Sequence, residues 1–124
     1  MTAMTLDATP EKTARIELVC PAGSLPALQA AVDNGADCVY VGLRDNTNAR
    51  NFAGLNFDER AAANGLDYAH RFGAKVFLAI NTYPQPDTWQ RWTHAIDTAA
   101  GMGFDAVIVA DAGLMDYAAR TYPG

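Results

Sequence analysis

Arg44, Asn48, Arg50 and Asn51 lie in one polar stretch, residues 44–57, and their side chains are well suited to gripping a ligand. A guanidinium fork matches a carboxylate or a phosphate, and each asparagine amide adds a donor and an acceptor. Asn81 and Asp111 join them as substrate-binding candidates, because each directly follows a short apolar run. A stretch rich in Asn and Arg is also what an ordinary solvated turn looks like, so both readings stand. Other chemistry is sparse. Cys20 sits where a strand meets a helix N-terminus, a setting that can lower a thiol pKa. Both histidines, His70 and His94, fall in helix-like stretches where a general base would be badly placed. A structural cysteine is therefore the favoured reading of Cys20, and helix capping is the plain role for Asp111. Cys20 and Cys38 lack the C-x-x-C spacing of a metal or redox site. With no Gly-rich phosphate motif and no cluster of ligating side chains, the sequence assigns no metal site and no catalytic residue.

The elements that must position these groups alternate in kind. Residues 16–20 read as a strand with a β-branched bias, closed by Pro21-Ala22-Gly23. Ser24 caps a helix expected over 25–34, with Pro26 tolerated in its first turn and Asn34-Gly35 as its stop. Residues 38–43 are apolar throughout, as in a strand covered on both faces. The cassette recurs: Gly73 leads into a strand over 76–80 and Gly103 into one over 106–110, preceded by helices over 58–72 and 86–102. A fourth helix starts near Ala112. The glycines Gly35, Gly73 and Gly103 are spaced by 38 and 30 residues, the size of one βαβ step. Trp89 and Trp92 fit a helix packing on the sheet.

Four such units make an α/β fold with a parallel sheet, either an open doubly wound sheet or half of a closed barrel. In both, functional groups collect at the carboxyl ends of the strands, which is where the six candidates fall. A closed (β/α)8 barrel takes about 250 residues, and this chain has 124. A lone half would leave strand edges without partners, so the chain is expected to be marginal alone or to associate. Residues 1–14 are polar, lack the apolar core of a signal peptide and read as a disordered arm, leaving 15–124 as the folded part. No apolar run approaches the ~20 residues of a membrane span. With a net charge of −5 and no Lys/Arg cluster, direct nucleic-acid binding is not expected. The expected location is the cytoplasm.

Cys20-Pro21-Ala22-Gly23-Ser24-Leu25-Pro26, Asn34-Gly35-Ala36-Asp37 and Val39-Tyr40-Val41-Gly42-Leu43 resemble the N-terminal signature of the collagenase-like peptidase family. Asp45-Asn46-Thr47-Asn48-Ala49-Arg50-Asn51-Phe52 is most similar to its UbiU-like branch, and Ala79-Ile80-Asn81-Thr82 and Ala110-Asp111 extend the likeness. The resemblance implies the first half of a TIM-type (β/α)8 barrel. It also implies a role in O2-independent hydroxylation of the ubiquinone precursor ring, with prephenate as oxygen source and a UbiV-like paralogue as heterodimer partner. Intact members of that branch carry a [4Fe-4S] cluster on four cysteines. Such a cluster needs about four thiolates, and with two cysteines this chain is expected to bind none alone. Neither Cys20 nor Cys38 matches a cluster ligand, so the chain reads as a fragment ending before the cluster-binding region. Other family members carry a peptidase label or hydroxylate tRNA or ribosomal RNA. A peptidase and a non-catalytic half-barrel that docks on a partner are thus the alternatives.

Overall fold

The computed structural model describes residues 15–124, and the arm expected over 1–14 lies outside the described residues. Four strands, β1 (Val19–Pro21), β2 (Cys38–Gly42), β3 (Lys75–Ile80) and β4 (Ala106–Val109), alternate with four helices. These are α1 (Leu25–Asp33), α2 (Glu59–Arg71), α3 (Trp89–Met102) and α4 (Ala112–Thr121). Every strand pair is parallel and the spatial order is β1-β2-β3-β4. A doubly wound sheet reverses direction at a switch point, whereas uninterrupted sequential order is how a barrel is laid down. The topology is that of consecutive barrel units.

Local chemistry sets the boundaries. Ser24 Oγ accepts from the Ala27 amide, Asp58 from Ala61 and Asp111 from Leu114, so the expected caps of α1 and α4 are present. Gly103 takes a left-handed conformation as the cap that ends α3, with φ 92°. Where a helix was expected from residue 86, Pro86–Thr88 form a 3-10 turn and the α-helix starts at Trp89. The first strand is shorter than its β-branched run, because register starts at Val19↔Cys38; before it, only Leu18 O reaches β2, accepting from the Cys38 amide at 3.3 Å. Pro21 is accommodated because β1 is an edge strand.

Two aspartates repeat one device at the amino ends of the strands. The amides of Asp37 and Leu18 exchange bonds, Asp37 N donating to Leu18 O at 2.9 Å and Leu18 N to Asp37 Oδ2 at 2.8 Å. Asp105 does the same with Val76, at 2.9 and 2.8 Å. This explains the recurring Gly-x-Asp ahead of β2 and β4: the glycine ends a helix and the aspartate registers the next strand.

All four helices cover one face of the sheet. There Val39, Val41, Val76, Leu78 and Ile80 pack against Leu28, Leu66, Trp92, Ile96 and Leu114 in one core. Alternation along the strands sends Val19, Tyr40 and Ile108 to the opposite face, where each is exposed. On that second face Cys38 and Ala79 are buried while Tyr40, midway along the apolar run 38–43, is exposed. None of the described helices is long and apolar enough to cross a membrane.

Candidate functional site at the carboxyl ends of the strands

Because the strands are parallel, residues following β1, β2, β3 and β4 emerge along one edge. The long connection from β2 to α2, residues 44–57, folds back over that edge instead of projecting from it. Gly42 makes this possible. A Cβ at Gly42 would stand 2.2 Å from Asn48 Nδ2, so the Asn48 amide occupies the space a side chain would take. Asn48 is only 5% exposed, and burying a primary amide is costly unless it is hydrogen-bonded. It is bonded at both ends: Nδ2 donates to Leu43 O at 3.2 Å and Oδ1 accepts from the Arg50 amide at 3.1 Å.

A second set of bonds ties the loop to the end of β3. Asn81 N donates to Thr47 O at 3.1 Å, and Asn81 Oδ1 accepts from Ala49 N at 2.8 Å. Thr82 Oγ1 donates to Asn46 O at 2.7 Å and Arg91 Nη1 to Asn46 Oδ1 at 3.1 Å. The Trp92 indole, buried under α3, donates to Thr82 Oγ1 at 3.0 Å. Thr47 is 1% exposed; its amide and hydroxyl both donate to Asp45 Oδ1, at 2.9 and 2.5 Å.

The distal half of the loop closes on itself. Arg44 donates through Nε to Leu55 O at 3.3 Å and through Nη2 to Asn56 O at 3.1 Å. Asn56 holds a left-handed φ of 75°, its amide donating to Gly23 O at 2.7 Å and its side chain to Arg50 O at 2.7 Å. Leu55 N donates to Phe52 O across a turn with Gly54 at φ 80°. This turn presents Phe52 and Leu55 to solvent.

The structure thus brings Asn48, Asn81, Arg44 and Arg50 into one assembly at the strand ends. Asn48, Asn81 and Arg44 have side-chain groups engaged in holding the loop. Arg50 is fixed through its backbone, and its exposed guanidinium donates no hydrogen bond to the described residues; Asn51, also exposed, stands beside it. Asp111 lies at the end of β4, where Oδ2 accepts from the Leu114 amide at 3.0 Å. Asn46, Thr82 and Arg91 belong to the same network without having been candidates. Their signal was Thr82 directly after Asn81 at a strand end; nothing in the sequence pairs Asn46 with Arg91, 45 residues away.

The remaining polar and apolar features are elsewhere. His70, at the end of α2, lies 2.8 Å from Asp105 Oδ2, and His94 is exposed along α3. Cys20 packs on the helix-covered face and Cys38 lies on the other face of the sheet, following the register Cys20↔Val39. Both thiols are free. Burial pushes the Cys38 thiol pKa up, reinforced by the Asp105 and Glu17 carboxylates. A groove of ≈ 610 Å³ runs along the helix-covered side of β4, from Phe104 and Tyr122 near its amino end to Val109 and Met115 at its carboxyl end. Among the described residues no group of three or more His, Cys, Asp or Glu side chains is placed to hold a metal ion.

A model of peptidase family U32 matches residues 23–124. The chain is 36% identical over 109 residues to tRNA hydroxylation protein P of Helicobacter pylori, covering 88% of this chain and 26% of the relative. It is 38% identical over 106 residues to an uncharacterized protease of Methanocaldococcus jannaschii, covering 83% and 25%. With the 23S rRNA 5-hydroxycytidine C2501 synthase of Escherichia coli it shares 33% over 102 residues, covering 82% and 15%. The chain therefore spans about a quarter or less of the length of these relatives. Among solved structures, the U32 peptidase Mk0906 superposes with a TM-score of 0.69 at 18% identity, covering 87% of this chain and 46% of that one. At that identity the match speaks for the fold.

Proposed function

Because the chain belongs to peptidase family U32, we propose that it supplies four βα units to a protein that hydroxylates the aromatic ring of a ubiquinone precursor without O2. The observation that carries this reading is the loop Asn46-Thr47-Asn48-Ala49-Arg50. Its sequence resembles the UbiU-like branch, and it is folded onto the strand ends, where a parallel α/β fold performs its chemistry. Relatives named for tRNA and ribosomal RNA hydroxylation support the reaction type. With a net charge of −5 and no Lys/Arg cluster, this segment itself offers no basic surface to RNA. On this reading prephenate is the oxygen donor, a UbiV-like paralogue is the partner subunit, and the protein works in the cytoplasm.

The [4Fe-4S] cluster of that branch does not fit the residues present. Its cubane needs about four thiolates, whereas Cys20 and Cys38 are the two cysteines here and lie on opposite faces of the sheet. No step is assigned to it in this chain. Peptide hydrolysis is the second reading, favoured by the family label and by the relatives named as a protease and a collagenase. Among the described residues no histidine stands at the strand ends to activate a nucleophile there.

The proposal is tested in cells from which the protein has been removed. Quinone intermediates lacking a ring hydroxyl should accumulate during growth without O2 and not during growth with it. Unchanged quinone content under both conditions would refute the reading.

A further inference from the structure

We infer that Thr82 is a positioning residue of the strand-end site: through its hydroxyl, the first turn of α3 sets where residues 46–50 of the β2–α2 loop lie over the ends of β2 and β3. The inference deepens the proposed function and rests on that reading for the reaction served, while the latch itself stands on contacts within the fold.

Chemistry fixes the direction of each bond in the latch. Trp92 is buried in the core, and its indole N–H can only donate, so it requires an acceptor. Thr82 Oγ1 is that acceptor, at 3.0 Å. A hydroxyl has a single proton, and that of Thr82 goes to Asn46 O at 2.7 Å. The core side chain thereby dictates where the hydroxyl points. Bonds in such a chain polarise one another, so the relay from indole to carbonyl is stronger than two isolated bonds. Arg91, the neighbour of Trp92 in α3, holds the same loop residue by its side chain, Nη1 donating to Asn46 Oδ1 at 3.1 Å. Two consecutive residues of one helix turn therefore fix Asn46, one at its side chain and the other, through Thr82, at its backbone.

What is fixed along with Asn46 is the part of the loop that carries Asn48 and Arg50. Asn81, next to Thr82, bonds this run at two further points, Thr47 O and the Ala49 amide. Asn48 fills the space above Gly42, and its Oδ1 accepts from the Arg50 amide. A displacement of Asn46 is therefore passed along the run to Asn48 and to Arg50. Residues 51–55, by contrast, are exposed and bond within the loop, Phe52 N to Arg50 O and Leu55 N to Phe52 O. The run takes its place from β3 and α3, not from the tip of its own loop.

The experiment compares Thr82→Val, which keeps the β-branched shape without the hydroxyl, with Thr82→Ser, which keeps the hydroxyl. Hydrogen exchange of the full chain is followed by NMR at amides 47–50 and 81, with amides of α1 and α2 as controls. In Thr82→Val, exchange at 47–50 and 81 should quicken about tenfold more than at the controls, and Thr82→Ser should stay near the parent rate. In cells lacking the protein and grown without O2, the intact protein carrying Thr82→Val should restore about a tenth or less of the ring-hydroxylated quinone that the parent restores at equal protein level. Thr82→Ser should restore most of it. An equal rise at loop and control amides would reduce Thr82 to a general stabiliser and overturn the inference, as would a Thr82→Val protein as active as its parent. A parent protein that restores no quinone would overturn the proposed function instead, and the exchange ratio would then decide the latch by itself.

Discussion

Gly42→Ala is a one-methyl change with a calculable consequence. The glycine is not in a left-handed conformation, so alanine costs nothing through φ and should gain ~0.5–1 kcal/mol from reduced chain entropy. Against this, the new Cβ would lie 2.2 Å from Asn48 Nδ2 and 2.5 Å from Cγ, distances at which one group must move. Asn48 can move only by giving up its bonds to Leu43 O and from the Arg50 amide. Two lost bonds at ~0.5–1.5 kcal/mol each, together with ~1–3 kcal/mol for overpacking, outweigh the gain. The net loss is ~2–4 kcal/mol, a fall in melting temperature of roughly 10 °C for a domain of this size. The assay is thermal unfolding of the full chain by circular dichroism, run on Gly42→Ala, Asn48→Ala and the double variant. If the amide in the glycine's space is the cause, the double variant will be more stable than the summed single effects by ~1 kcal/mol or more. A Gly42→Ala chain that melts within ~2 °C of the parent, or strict additivity of the pair, would refute the reasoning.

Three further outcomes follow from other contacts. Tyr117 and Tyr122 both donate to Asp97 Oδ1, at 2.8 and 2.7 Å, and that bond, with a smaller effect of desolvation, raises both phenol pKa values, that of Tyr122 to about 12. A raised acid pKa stabilises the fold below the ordinary phenol value near 10 and loses that contribution as pH climbs towards 12; in Asp97→Ala, absorbance at 295 nm should show Tyr122 ionising near its ordinary value. Cys38, buried and with its pKa raised, should react with a thiol reagent only after denaturant is added, and no Cys20–Cys38 disulfide should form in the folded chain, as mass spectrometry after oxidation will show. Asp105→Ala removes the acceptor for the Val76 amide at the start of β3 and the partner of His70 at the end of α2, and should cost ~1–3 kcal/mol in urea unfolding, mostly from the amide left without a partner.

The four βα units were legible because their signals are local. Gly35, Gly73 and Gly103 each end a helix, Ser24 and Asp111 each begin one, and the apolar runs between them have strand length. The choice between open sheet and barrel was not local: it depended on strand order, which the residues alone left open and the family resemblance favoured. The six candidate residues were placed correctly along the chain, at the strand ends, by the rule that parallel strands carry their chemistry there. Their division of labour was illegible. That Asn48 fills the space above Gly42, or that Asn46 meets Arg91, depends on how a 14-residue connection folds back over the sheet, and no periodicity encodes that.

The proposed function places this chain in a protein that hydroxylates a quinone ring and not a nucleoside. Mass spectrometry of quinone intermediates and of digested tRNA and ribosomal RNA, from the same cells grown without O2 with and without the intact protein, tests it most directly. The account predicts that ring-hydroxylated quinones disappear and hydroxylated nucleosides are unchanged. Loss of a hydroxylated nucleoside with quinones intact would contradict it.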